Sequence, residues 1–106
     1  MSKFLWHVSY TPEGMKGVLK EGGTSRREAV EKLAANMGGT IESFHYAFGE
    51  SDAYVIGDFP SNLDVAAVAM TVGAAGGASV KTTVLLTPEE IDEAAKKSVD
   101  YRPPGK

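Results

Sequence analysis

The sequence predicts an α+β fold: a ferredoxin-like, four-stranded antiparallel sheet in β-α-β-β-α-β order, with helices on one face and an added C-terminal helix. Three observations carry this reading. Lys3 to Tyr10 (KFLWHVSY) and Ser79 to Leu86 (SVKTTVLL) are strand-like runs rich in β-branched and aromatic residues. Thr40 to Phe59 (TIESFHYAFGESDAYVIGDF) reads as two strands hinged at Gly49-Glu50-Ser51-Asp52, a tract suited to a short antiparallel turn. Helix signals fall between the first strand and this hairpin, and again between the hairpin and the last strand. Two right-handed crossovers around a central hairpin give the strand order 4-1-3-2.

The first strand alternates Phe4, Trp6, Val8 and Tyr10 with Leu5, His7 and Ser9, so each set faces one side of the sheet. Thr11-Pro12-Glu13 then caps a short helix, because Thr at the N-cap accepts from an orphan amide and Pro at the first helical position loses no needed donor. Gly22-Gly23 stops that helix. Ser25-Arg26-Arg27-Glu28 has the spacing of a capping box for a second one, whose Val30, Leu33, Ala34 and Met37 make one apolar face, ending at Gly38-Gly39. After the hairpin, Ser61 and Asp64 open a helix over roughly Asn62 to Val72, apolar around most of its circumference. Gly73 to Gly77 turns the chain into the fourth strand. Thr87-Pro88-Glu89-Glu90 combines an N-cap, a helix-starting proline and an N3 glutamate for the last helix. The reading is of one domain over residues 1–99 and a Pro-rich tail over 100–106.

Composition narrows the function classes. A chain of 106 residues, 42% apolar and 24% charged, is of soluble globular type. A formal charge of -3 and a pI near 5.3 leave no basic excess to neutralise phosphates, so nucleic acid is not an expected partner. With no cysteine, thiolate metal sites and cysteine nucleophiles are excluded, and a reducing cytoplasm fits. The longest apolar run, Val65 to Ala78, is interrupted by Thr71 and glycines, so no membrane association is expected.

Both faces of the sheet read as apolar. If Phe4, Trp6, Val8, Phe44, Tyr46, Phe48, Val55, Phe59, Val80, Val84 and Leu86 face the helices, the other face still carries Leu5, Ile41, Ala47, Ile56 and Leu85. Strands apolar on both sides are expected to be covered on both sides. A face-to-face homodimer, or a higher homo-oligomer, would cover them and enclose a cavity between sheets.

The Gly49–Asp52 turn, the preceding Phe44-His45-Tyr46-Ala47-Phe48, the opening Tyr10-Thr11-Pro12-Glu13-Gly14 and the closing Lys81-Thr82-Thr83 with its Thr-Pro-Glu-Glu sequel together resemble the GYD-domain family. The family's Gly, Tyr and Asp map onto Gly49, Ser51 and Asp52, with serine where the family has tyrosine. The resemblance spans roughly Phe4 to Ala95. It implies a bacterial or archaeal protein similar to the dimeric α+β barrel proteins, which include cofactor-free monooxygenases and isomerases. The family's own biochemical role is largely unassigned.

In this register His7, His45 and Tyr54 share the non-helical face with Ser9, Ser43, Lys81 and Thr83. Polar groups inside an apolar cavity suit a small-molecule site, and the same side chains could instead hydrogen-bond across a dimer seam or face water. The expected ligand-binding set is His7, Ser9, His45, Asp52, Tyr54, Lys81 and Thr83, with no catalytic residue assigned. A one-residue slip in the second strand would exchange His45 for Phe44 and Tyr46. Asp52 has two readings, a carboxylate at the cavity mouth or a turn residue bonding hairpin amides. With a strand between them, His7 and His45 would lie about 9 to 10 Å apart, too far to share a metal, so neither metal nor cofactor is expected. Two functions follow: a homodimeric small-molecule-binding or regulatory module, or a cofactor-free enzyme of isomerase or monooxygenase type using His/Tyr acid-base chemistry. A dimer or ring whose role is assembly is a third.

Overall fold

The computed structural model describes Met1–Lys106. Its elements are β1 (Ser2–Tyr10), α1 (Pro12–Glu21), α2 (Gly23–Asn36), β2 (Thr40–Tyr46), β3 (Ala53–Phe59), α3 (Asn62–Ala75), β4 (Ala78–Leu85) and α4 (Pro88–Ala95). The strands form one antiparallel sheet in the order β2-β3-β1-β4. The α+β class and this strand order agree with the sequence reading. The dimeric α+β barrel does not: β2 and β4 each have a single neighbour, so the sheet is open with two free edges.

Capping explains where the helices begin. Thr11 Oγ1 accepts from the Gly14 amide at 3.1 Å, and the same hydroxyl donates to Gly76 O at 2.8 Å, tying the start of α1 to the turn before β4. The approach is close enough that a Cβ on Gly14 would lie 1.8 Å from Gly77 O. Thr87 and Glu90 form the complete capping box at the start of α4, with exchanged bonds of 3.1 and 2.9 Å. The box expected at Ser25–Glu28 does not form, because α2 already starts at Gly23, directly after Gly22 with φ 87°. Its two residues therefore lie within the first turns. At α3, Ser61 occupies the N-cap, but its hydroxyl donates to Asp64 Oδ2 at 3.2 Å instead of capping an amide.

The core lies between the sheet and the helices. Phe4, Trp6, Val55 and Phe59 from the sheet meet Ala34 of α2 and Val65 and Val68 of α3, with the Trp6 and Phe59 rings 5.3 Å apart. Three side chains expected there lie elsewhere. Phe48 is fully exposed in the hairpin loop, and Val84 and Leu86, at the end of β4 and just beyond it, are more than half exposed. Conversely Ile41, expected on the opposite face, packs against the core. A β-bulge explains this: Ile41 opposes Gly57 and Ser43 opposes the next residue, Ile56, so Glu42 is inserted as an extra residue.

Beyond Leu85 the chain stands off the body. Every residue from Leu86 to Lys106 is exposed, and the molecule extends 56 × 33 × 23 Å. No helix is long and apolar enough to cross a membrane.

Candidate functional site

The helix-free face of the sheet takes its residues from alternate positions of each strand. The cross-strand register pairs His45 with Tyr54, Tyr54 with His7 and His7 with Lys81. Four polar side chains, one per strand, thus form a continuous row across the sheet. The His7 and Tyr54 rings meet edge to face with centroids 5.2 Å apart, and Thr83 Oγ1 lies 3.4 Å from His7 Nε2. Tyr54 and His7, on the two inner strands, are half-buried, while His45 and Lys81 on the edge strands are exposed.

The neighbouring row holds Ser43, Ile56, Leu5 and Thr83, an apolar pair flanked by hydroxyls. On the other side Ser9 pairs with Ser79. Farther along, Lys3 binds Glu42 at 3.0 Å and Asp58 at 3.2 Å. These hydrogen bonds, first to Glu42 and then to Asp58, raise the Lys3 pKa above its ordinary value. The two carboxylates of this face are therefore engaged by Lys3, and the His45–Tyr54–His7–Lys81 row contains no carboxylate: Lys81 only donates, while Tyr54 and each histidine offer one donor and one acceptor. That chemistry suits a ligand rich in acceptor oxygens.

Of the residues named from the sequence, His7, His45, Tyr54 and Lys81 come together in the row, Thr83 touches His7, and Ser9 lies beyond it on β1. Asp52 stands apart. Its Oδ2 accepts from the Tyr10 amide at 2.8 Å, its own N–H donates to Val8 O at 2.8 Å, and its carbonyl accepts from Ala47 N–H at 2.9 Å. These bonds hold the β2–β3 loop against the end of β1. Sequence reasoning missed the Lys3–Glu42–Asp58 cluster, since nothing in simple alternation brings Glu42 beside Lys3 without the bulge. No three His, Asp or Glu side chains are grouped so as to hold a metal ion.

Fold and site together define an α+β protein with an open antiparallel sheet, one face under helices and the other crossed by a row of hydrogen-bonding side chains. The chain matches the GYD domain over residues 4–95 and belongs to the GYD-domain family. No curated protein and no solved structure matches it. The Gly49–Asp52 turn, one of the stretches on which the family resemblance rests, has a structural role here: Ser51 is buried, and Asp52 makes the bonds just described.

Proposed function

We propose that this chain is a homodimeric small-molecule-binding or regulatory module, whose ligand lies on the open sheet face and is covered by the same face of a second copy. The observation that carries the reading is the unbroken polar row His45–Tyr54–His7–Lys81 bordered by apolar Leu5 and Ile56, with no element of the chain above it. The ligand class that fits is a small, partly apolar molecule with acceptor oxygens.

Surface area points to a further contact at the C-terminal segment. The chain exposes 7545 Å², against about 5,700 Å² for a compact monomer of its mass. Its radius of gyration is 16.8 Å, where about 13 Å is usual for this length. Much of the excess is the C-terminal segment, whose Leu86, Ile91, Val99 and Tyr101 are exposed apolar groups without partners. The binding reading is preferred to the enzymatic one because neither histidine has a carboxylate to fix its tautomer and orientation, the usual arrangement for a catalytic base.

Sedimentation at micromolar concentration tests the dimer, and native mass spectrometry of protein purified without refolding tests for a retained ligand. The expected result is a dimer that Leu5→Asp converts to a folded monomer, and a bound molecule that His7→Ala and Lys81→Ala each release. A folded wild-type monomer, or retention unaffected by both substitutions, overturns the proposal. Turnover with a pH dependence lost in His7→Ala while the dimer persists would put the enzyme reading in its place.

A further inference from the structure

The helix side of the sheet has a binding feature of its own. Between the sheet and helices α2 and α3 lies a cavity of about 60 Å³, with eleven of its twelve lining residues hydrophobic and Arg26 the single charged one. Tyr10, Arg26, Val72 and Ala78 line both this cavity and a more open hollow of about 320 Å³ beside α1, so the cavity adjoins the surface at Arg26.

Two polar groups here have no partner within the chain. Trp6 lines the cavity and is 4% exposed, and its Nε1–H is the one buried side-chain polar atom with no hydrogen bond. Buried donors are nearly always satisfied, so this one marks a place for an acceptor from outside the chain. Arg26 is half-buried and has no carboxylate within ion-pair distance, whereas its neighbour Arg27 reaches Glu31 at 4.0 Å. Glu21, the only acidic residue lining the outer hollow, is exposed and does not pair with Arg26. The charged groups at the mouth are therefore an unpaired guanidinium and a carboxylate at the solvent edge.

Size limits what can enter. A water takes about 30 Å³ of liquid, so the cavity admits a few non-hydrogen atoms and a longer occupant must extend into the hollow. We propose that this cavity is a second binding site, for a short-chain oxo acid whose carboxylate pairs with the Arg26 guanidinium and whose carbonyl oxygen accepts from Trp6 Nε1–H. The aliphatic spacer packs against Val30, Val68 and Val72. The Arg–carboxylate pair supplies most of the affinity, since charge-assisted bonds exceed neutral ones, and the indole bond supplies selectivity for the oxo group. This site is independent of the open-face row, which lies on the other side of the sheet.

The test is calorimetry on the intact chain with 4-oxopentanoate, pentanoate and 2-pentanone. The expected result is one saturable site per chain for 4-oxopentanoate, binding several-fold to about ten-fold tighter than pentanoate, the range one neutral hydrogen bond supplies. No saturation is expected with 2-pentanone. Arg26→Gln, at the mouth of the cavity, weakens 4-oxopentanoate at least about ten-fold, as expected for loss of a charge-assisted pair. Trp6→Phe reduces 4-oxopentanoate to the affinity of pentanoate, and its folding is checked by circular dichroism. The proposal is overturned by equal affinity for the two acids in the wild type, by an unchanged affinity in Arg26→Gln, or by no saturable heat at millimolar acid, the outcome if water alone fills the cavity.

Discussion

Replacing Asp52 by alanine measures how firmly the β2–β3 loop is fastened to β1. The carboxylate accepts from the Tyr10 amide at 2.8 Å in a partly buried setting, and alanine removes that acceptor while leaving the backbone bonds of residue 52 to Val8 and Ala47 in place. A hydrogen bond to a charged group contributes about 1.5–3 kcal/mol, so a loss near 2 kcal/mol is expected. For about 100 residues this lowers Tm by roughly 8–16 °C. Asparagine keeps a neutral oxygen at the same reach and should lose about 1 kcal/mol, the difference between a charged and a neutral acceptor. Urea denaturation followed by circular dichroism reads both variants, with the midpoint shifting and the slope unchanged if the native state alone is affected. An alanine variant as stable as the wild type, or an asparagine variant as damaged as alanine, would refute the fastening role. A ligand-binding role for the same carboxylate would show as lost binding at unchanged stability.

The glycines of α1 make a matched pair. Gly14→Ala places a Cβ against Gly77 O and should destabilise by about 1–3 kcal/mol through overpacking, whereas at Gly17 an added Cβ meets nothing and the helix should gain about 0.5–1 kcal/mol; thermal melts of the two variants check the opposite signs. Tyr46 gives a pH dependence. Partial desolvation of a side chain that stays 41% exposed, then the neighbouring Tyr10, pushes its pKa from 10.0 to about 12, so the folded state holds this proton more tightly than the unfolded state. Its contribution to stability is therefore complete below pH 10 and is lost as pH rises towards 12. Urea midpoints across that range should fall more steeply for the wild type than for Tyr46→Phe, and parallel curves would contradict the shift.

The parts of the fold legible in the sequence were those governed by local rules. The Thr11 and Thr87 caps, the stop at Gly22 and the alternation of Phe4, Trp6 and Val8 against Leu5 and His7 depend on neighbours within a few residues, and they fall where those rules put them. The open-face row was legible for the same reason, since period-two alternation is enough to place His7, Tyr54 and Lys81 once the strand order is known. What alternation could not give was set by distant parts of the chain. Phe48 has the composition of a strand residue, but the strand ends at Tyr46, two residues earlier than the pattern implies, and Phe48 stands exposed in the loop. The helix-side cavity depends on how tightly α2 and α3 pack, which no single-residue periodicity encodes.

The bulge at Glu42 connects these two classes of information and decides where His45 faces. Under strict alternation Ile41 and His45 share a face, so placing His45 on the open side would also put Ile41 there and leave the core beside Gly57 without its side chain. Shifting the whole strand by one residue would bury Ile41 but would turn His45 under the helices. Inserting Glu42 opposite no partner resolves the conflict, because Ile41 then packs on the core while His45 stays opposite Tyr54. The inserted residue is itself used, since its carboxylate meets Lys3 at 3.0 Å. The row therefore owes its fourth member to a one-residue irregularity near the start of β2, at the opposite end of the strand from the Gly49–Asp52 turn.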